Sequence, residues 1–383
     1  MDHADIQKIF LDKFKQKPIL VRAPGRINFI GEHTDYNNGL VLPAAINKEI
    51  QIAIAANQTS RCTLYSADLK EEHTCTIDDL KPGKSWVNYL HGVMKGIHQI
   101  GFPLQGVDVV IQGNIPLGAG LSSSAALCCG FGTAYSQVIG AGLAPLSIAK
   151  IAQFAEHHFA GVKCGIMDQY ASIFGEKDKA ILLDCQTLEH EAFPFDFPEV
   201  DILLIDTKVK HSLADSAYNK RREACEFGVA QIARKYPEVK SLRDISLPML
   251  QELQNNFPDE VYKRCRYVIL ELERTQRAAQ LLKNKELESF GQLLYETHEG
   301  LSRDYEVSCE ESDFLVDLAR ANRVTGSRMM GGGFGGCTLN LIKKSETEAF
   351  RKLVQEKYVT TFNKEPGFYI VEIEDGVSNL TSH

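Results

Sequence analysis

Residues 107–138 read VDVVIQGNIPLGAGLSSSAALCCGFGTAYSQV, and they decide what kind of fold this chain can adopt. Val107–Gln112 is a β-branched run that reads as a strand, and Ser123 to about Val138 reads as a helix. Between them Gly113, Pro116, Gly118 and Gly120 break the chain, and Ser122, Ser123 and Ser124 open the helix. Glycines let a backbone approach a ligand closely, while the serines supply hydroxyls and an N-cap. A helix N-terminus adds free N–H groups and the positive end of the helix dipole, which together favour an anion. No Asp or Glu occurs between Asp108 and Glu156, so nothing along this stretch opposes a phosphate. On these residues alone a glycine-rich turn with an ordinary serine cap would read the same way.

The stretch is not a membrane span. Val109 to Ala149 lacks Asp, Glu, Lys, Arg and His, but Gln112, Asn114, Pro116, the serines and several glycines interrupt it. A span needs about 20 predominantly apolar residues. No membrane association is expected.

Outward from this segment, strand-like and helical runs mix without regular βαβ alternation. Ile50–Ala56, Arg61–Ser66 and Ala180–Asp184 read as strands, and Trp86–Ile100 and Leu146 to about Ala160 as helices. The aromatic FPFDFP at 193–198 is bounded by prolines and marks a domain boundary. Beyond it come a strand at Ile202–Ile205, long helices near 215–233, 258–283, 286–302 and 310–322, and strands at Cys337–Ile342 and Phe368–Ile373. The fold class is α+β in two domains, 1–195 and 196–383.

Length and composition agree. The chain has 383 residues, which at roughly 100–200 per domain is enough for two. Lys plus Arg number 42 against 50 Asp plus Glu, a net charge of −8, which argues against a nucleic-acid partner. Ten cysteines are scattered with no CxxC pair, and the start, MDHADIQKIF, carries no secretory pattern. Reduced thiols and a cytoplasmic location are expected.

Two formal motif matches fail. Gly83-Lys84-Ser85 ends like a phosphate-binding P-loop, but Asp78 stands where the first glycine is required. Gly331, Gly333 and Gly336 satisfy GxGxxG, but a helical stretch precedes them and the strand-like CTLNLI follows, the reverse of what a dinucleotide site needs. Three other segments carry more chemistry. RAPGRINFIGEHTDY (22–36) gathers Arg26, Glu32, His33 and Asp35 on what is expected to be a loop around Pro24, Gly25 and Gly31. Carboxylates beside an imidazole suit a divalent metal or a polyhydroxylated ligand such as a sugar, and a solvated polar loop is the plainer alternative. CGIMDQY (164–170) sets Asp168 among apolar residues, and MGGGFGGC (330–337) is dense enough in glycine for a tight clamp.

Taken in order, these segments resemble the superfamily of galactokinase, homoserine kinase, mevalonate kinase and phosphomevalonate kinase. GRINFIGEHTDY is similar to the galactokinase signature, with Phe29 where an aliphatic residue is usual, and GLSSSAA and GGGFGGC resemble the second and third superfamily motifs. SAYNKRRE (216–223) extends the resemblance. It implies an N-terminal domain like ribosomal protein S5 domain 2, a ferredoxin-like C-terminal domain, and an active site in the cleft between them. The implied reaction is ATP-dependent phosphorylation of the C1 hydroxyl of α-D-galactose to galactose 1-phosphate, with release of ADP, the first committed step of the Leloir pathway.

Carried over residue by residue, the resemblance makes Asp168 the catalytic base and Arg26 the transition-state stabiliser. Glu32, His33, Thr34, Asp35, Gly165 and Tyr218 would bind the sugar. Gly118, Ala119, Gly120, Leu121, Ser122, Ser123 and Ser124 would cradle ATP, with Ser66 near the nucleotide. Ser124 and Glu156 would hold Mg²⁺. His157 and His158 are expected to be bystanders, because consecutive helical residues point apart. The implied protein is a monomer whose partners are galactose and ATP. A kinase for N-acetylgalactosamine or arabinose, or a non-catalytic galactose and ATP sensor, are the alternatives; the intact serine triplet and Asp168 favour catalysis.

Overall fold

The structure, a computed structural model, describes residues 3–83, 85–209 and 214–381. The rejected P-loop match centres on Lys84, and the N-terminal reading on Met1 and Asp2; all three lie outside the described residues.

The first half of the chain runs α1 (His3–Phe14), β1 (Ile19–Asn28), β2 (Leu40–Val41), β3 (Pro43–Ala56), β4 (Arg61–Ser66), β5 (Glu71–Thr76) and α2 (Val87–Gln99). It continues with β6 (Val107–Gly113), α3 (Ser123–Val138), α4 (Pro145–Ala155), α5 (Met167–Phe174), β7 (Lys179–Asp184) and β8 (His190–Pro194). The second half holds β9 (Val200–Asp206), α6 (Ala214–Ile232), α7 (Leu247–Glu252), α8 (Asp259–Lys283), α9 (Leu287–Arg303), α10 (Glu310–Ala321), β10 (Gly326–Met329) and β11 (Cys337–Lys343). Helix α11 (Lys344–Phe362), β12 (Gly367–Val371) and β13 (Ser378–Asn379) complete it. Among the described residues no helix is long and apolar enough to cross a membrane.

A six-stranded sheet has the order β13-β1-β3-β6-β4-β5, antiparallel except where β4 pairs parallel with β6. One face packs on α2 and α3 through residues such as Ile52, Leu64, Val93 and Phe131, and α1 covers Leu20, Ala53 and Val110 on the other with Ile6 and Phe10. Helix α3 is buried over most of its surface, and Gly130 lets it approach so closely that a Cβ there would meet Ala23 at 2.8 Å. The lack of charge in 109–149 therefore has a packing cause as well as any role toward an anion, since a helix apolar all round belongs in a core.

A four-stranded antiparallel sheet, β10-β11-β9-β12, forms the core of the second half. Its strands bury both faces: Leu204, Leu339 and Leu341 join the large core, whereas Leu203, Ile205 and Ile342 pack on α10 and α11 through Leu315 and Val354. Phe29 sits where the halves meet, stacked on Phe195 at 5.0 Å and edge-on to Phe290 at 5.8 Å. The unusual aromatic in the signature thus fills the seam.

Several expectations need correction. Arg22–Asn28 is not loop but the last seven residues of β1, and Pro24 and Gly25 are accommodated by a register shift between Pro24 and Arg26. A bulge absorbs an extra residue and re-aims the next side chain, here Arg26. The helix expected to run to Ala160 ends at Ala155 and continues as a π turn, Glu156–Ala160. Such π turns are frequent at functional sites. Helix α11 was not foreseen, although Thr347, Phe350, Val354 and Tyr358 fall at helical spacing and are buried. The chain end does not stay with the second sheet: β13 pairs with β1, Val21 opposite Asn379.

Candidate active site

Three segments converge on a cleft of about 380 Å³. The signature brings Arg26, Glu32, His33 and Asp35, the serine loop brings Gly118, Gly120 and Leu121–Ser124, and the glycine-rich loop brings Gly331–Phe334. Glu156, Asp168 and Tyr218 complete the wall. The two glycine-bearing loops come close: a Cβ at Gly120, whose φ is +75°, would stand only 3.2 Å from the Met330 carbonyl oxygen. Their close approach is what the glycine density serves.

Asp168 lies in the first turn of α5 and meets Arg26 in a two-point pair, Nε to Oδ1 at 2.8 Å and a terminal nitrogen to Oδ2 at 3.0 Å. Arg26 also donates to the Gly120 carbonyl at 2.7 Å, so one guanidinium ties β1, α5 and the serine loop together. The Ser122 hydroxyl donates to Asp168 Oδ2 at 2.5 Å. Ser122 is therefore not the side-chain cap of α3: it sits at φ +58° with no capping bond and spends its hydroxyl on Asp168.

On the other side of the loop, Ser124 donates to Glu156 Oε2 at 3.1 Å, and Gln169 donates to Glu156 Oε1 at 2.8 Å. The absence of acids along 109–149 proves misleading about space, because the fold carries Asp168 and Glu156 onto the serine triplet from elsewhere. Burial first, then Asp168, pushes the Glu156 carboxyl up to about 7. Burial and then Asp168 push Asp35 up to about 7 as well. Glu156 and the Ser124 hydroxyl offer oxygen donors of the kind a hard cation such as Mg²⁺ takes. Among the described residues no group of three or more His, Cys, Asp and Glu side chains could hold a metal ion.

On the sugar-type side, His33 is held neutral, pushed down to about 3 by burial and then by Arg221 and Arg328. Asp35 abuts Gly165, and Tyr218 stands 5.3 Å from the His33 ring. Glu32 is almost wholly occupied: Oε1 accepts from Arg328 and from the Gly331 N–H at 2.6 Å, and Oε2 from Asn28 at 2.9 Å. Thr34 does not line the cleft, contrary to expectation. Its hydroxyl lies on the backbone oxygens of Gly31 and Leu40, at 2.8 and 2.7 Å. Ser66 borders a neighbouring pocket of about 340 Å³ with Asp68, Trp86, Ile111 and Leu127, which shares Tyr89, Ser123 and Ser124 with the main cleft. His157 is bonded to the Cys164 carbonyl at 2.7 Å.

Two supporting residues escaped the sequence reading. Arg328 is fully buried on β10 and donates to Phe29 O at 3.1 Å as well as to Glu32. Its one local signal is a cation in a short strand, GSRM, just before the glycine-rich loop. Glu271 on α8 accepts from the Gly31 N–H at 2.9 Å, from Thr297 at 2.9 Å and from Arg274 at 2.7 Å. Nothing in its amphipathic helix distinguishes it from a surface acid.

Comparison with known proteins joins this geometry to a lineage. The chain matches the family models for the GHMP kinases N terminal domain over residues 88–176 and the GHMP kinases C terminal over 278–360. A mevalonate kinase structure from Methanococcus jannaschii superposes with a TM-score of 0.65 at 18% identity over 94% of this chain and all of that one, a likeness of fold. Fold and cleft together define a kinase of the GHMP class. The galactokinase galactose-binding signature matches residues 8–56. Galactokinase from Thermosipho africanus is 40% identical over 94% of this chain and 99% of that protein, and galactokinase from Pasteurella multocida 38% over 97% and 98%. The crystal structure of Lactococcus lactis galactokinase complexed with galactose superposes with a TM-score of 0.93 at 32% identity, covering 98% of this chain and 99% of that one. The chain belongs to the galactokinase family.

Proposed function

We propose that the cleft transfers the γ-phosphoryl group of ATP to the C1 hydroxyl of galactose, giving galactose 1-phosphate and ADP. The observation that carries this reading is the Asp168–Arg26 pair, held at 2.8 and 3.0 Å where the signature meets the serine loop. Phosphoryl transfer asks a protein mainly for positioning and charge stabilisation. Asp168, about a quarter exposed to the cleft, takes the C1 hydroxyl proton as that oxygen attacks phosphorus. Arg26 holds the carboxylate by both oxygens and stabilises charge developing on the phosphoryl oxygens.

Glu32, His33, Asp35, Gly165 and Tyr218 form the sugar wall; Gly118–Ser124 carry the phosphates on backbone N–H groups at the start of α3. Ser66 and the adjoining pocket receive the nucleoside. Ser124 and Glu156 would hold Mg²⁺, which supplies positive charge to the phosphate oxygens. The same reading takes the chain as dividing near residue 195 into an S5-like and a ferredoxin-like domain with the cleft between them, although β13 returns to the first sheet, and as a cytoplasmic monomer.

ATP turnover across a sugar panel tests the reading. Galactose should be phosphorylated, and glucose, its C4 epimer, should have a kcat/KM lower by at least about 10³, because a site built around a hydroxyl rejects its misplacement. Failure to phosphorylate galactose, or activity toward both sugars within about tenfold, would overturn it.

A further inference from the structure

The signature turns sharply where it enters the cleft. Gly31 takes φ +94° and His33 φ +64°, and a residue with a Cβ stays in that region only where its surroundings hold it. Four backbone groups of residues 31–33 are bonded by side chains. Two of the bonds are local to the signature: Thr34 donates to the Gly31 carbonyl at 2.8 Å and Asn37 to the His33 carbonyl at 2.9 Å. The other two come from α8. Tyr267 donates to the Glu32 carbonyl at 3.1 Å, and Glu271 accepts from the Gly31 N–H at 2.9 Å.

Tyr267 and Glu271 stand four residues apart on one face of α8, and both are wholly buried. Each is itself held. The Tyr267 ring packs on Tyr305 with centroids 4.8 Å apart, and the Glu271 carboxylate accepts from the Thr297 hydroxyl of α9 at 2.9 Å and from Arg274 at 2.7 Å. Gly31 and Arg274 can only donate to it, one to each oxygen, so the site calls for an acceptor at both ends. An amide in its place would have to set its NH₂ against one of those N–H groups.

We infer that Tyr267 and Glu271 are positioning residues for the sugar: α8 grips the backbone on either side of Gly31–Glu32 and so holds His33 and Asp35 at the geometry that binds galactose. The inference rests on the galactose reading above for its ligand, though not for the grip itself. Asp168, Arg26 and the serine loop are tied to one another by a separate set of bonds, so α8 acts on the sugar wall and not on the phosphoryl-transfer pair.

Tyr267→Phe removes one hydroxyl and keeps the ring, and Glu271→Gln keeps the shape but mismatches one donor. Each should raise KM for galactose roughly tenfold, about the worth of one hydrogen bond, with kcat and KM for ATP held. Thr297→Val supplies the comparison, since it removes a bond to Glu271 without touching the turn. It should lower stability in chemical unfolding and leave KM for galactose where it was. NMR of the full-length protein without substrate reads the grip directly: the Gly31 amide proton, bonded to a carboxylate, should move upfield in Glu271→Gln. Tyr267→Phe keeps the kinetic measurement should Glu271→Gln fail to fold. A galactose KM unchanged in both variants, a rise shared equally with ATP, the same rise in Thr297→Val, or an unmoved Gly31 amide would overturn the inference. Failure of the wild type to phosphorylate galactose overturns the functional reading instead, and the Gly31 amide still decides the grip.

Discussion

Gly165 lies so close to Asp35 that a Cβ at this position would stand 2.0 Å from Asp35 Oδ2. No L side chain fits there unless the carboxylate moves, and Asp35 is buried with little room to do so. Gly165→Ala should displace Asp35 and raise KM for galactose, with kcat/KM falling by up to about 10², the usual cost of a misplacement near 1 Å. KM for ATP should hold. Steady-state kinetics with each substrate varied checks this, and an unchanged galactose KM would show that Asp35 does not touch the sugar.

Asp168→Asn should reduce turnover by about 10²–10⁴, because the amide keeps the shape but cannot take the proton. Nucleotide and galactose binding, followed by calorimetry, should persist. A loss of turnover below about tenfold would remove Asp168 from the role of base.

The two carboxyls held near 7 make a pH prediction with a definite sign. Asp35 is raised from its ordinary value of 3.8 to about 7, and Glu156 from 4.5 to about 7, both by burial and then by Asp168. A carboxyl that keeps its proton better when folded contributes stability that is full below its unfolded value and is lost as pH rises through the folded one. The melting temperature of the ligand-free protein should therefore fall between pH 4.5 and 7, and Asp35→Asn and Glu156→Gln should each flatten the fall. Binding of magnesium and nucleotide should release protons near neutral pH, as calorimetry in buffers of different ionisation enthalpy will show.

Arg328→Met removes the cation that Glu32 faces. Breaking one side of a buried pair costs about 3–5 kcal/mol, since the partner charge is left uncompensated. Chemical unfolding should register a loss of that order, and the double variant with Glu32→Gln should recover part of it. Full additivity of the two substitutions would mean that the pair is not coupled.

A carboxylate at position 123 tests the phosphate loop. Ser123→Asp should raise KM for ATP far more than KM for galactose, because it puts a negative charge at the N-terminus of α3. Equal changes in both would place the loop away from the triphosphate.

Much of this site could be read before any fold was known, and the reason is locality. Gly118–Ser124 and Gly331–Gly336 are short segments whose backbone demands show in their own composition, and α3 and α8 declare themselves by spacing. The reading failed where the cause lay elsewhere in the chain. Arg26 looked like a loop residue because Pro24 and Gly25 break strand patterns, and only pairing of β1 with β3 reveals the shift that absorbs them. Thr34 entered the sugar set by resemblance, and nothing in its own segment announced that its hydroxyl would bond the carbonyls of Gly31 and Leu40.

The amino-acid sequence by itself determined where the chain could turn tightly, which runs become helices and strands, and which polar residues sit in glycine-rich company. These are short-range matters of dihedral freedom, capping and hydrophobic spacing. Only the tertiary structure decided that Glu32 answers to Arg328, that Glu271 anchors the Gly31 N–H from 240 residues away, and that Asp168 and Glu156 come to face a serine loop with no acids of its own. Partners so far apart in sequence meet only after two sheets have packed across Phe29, and it is the burial created there that sets the charges the cleft can bear.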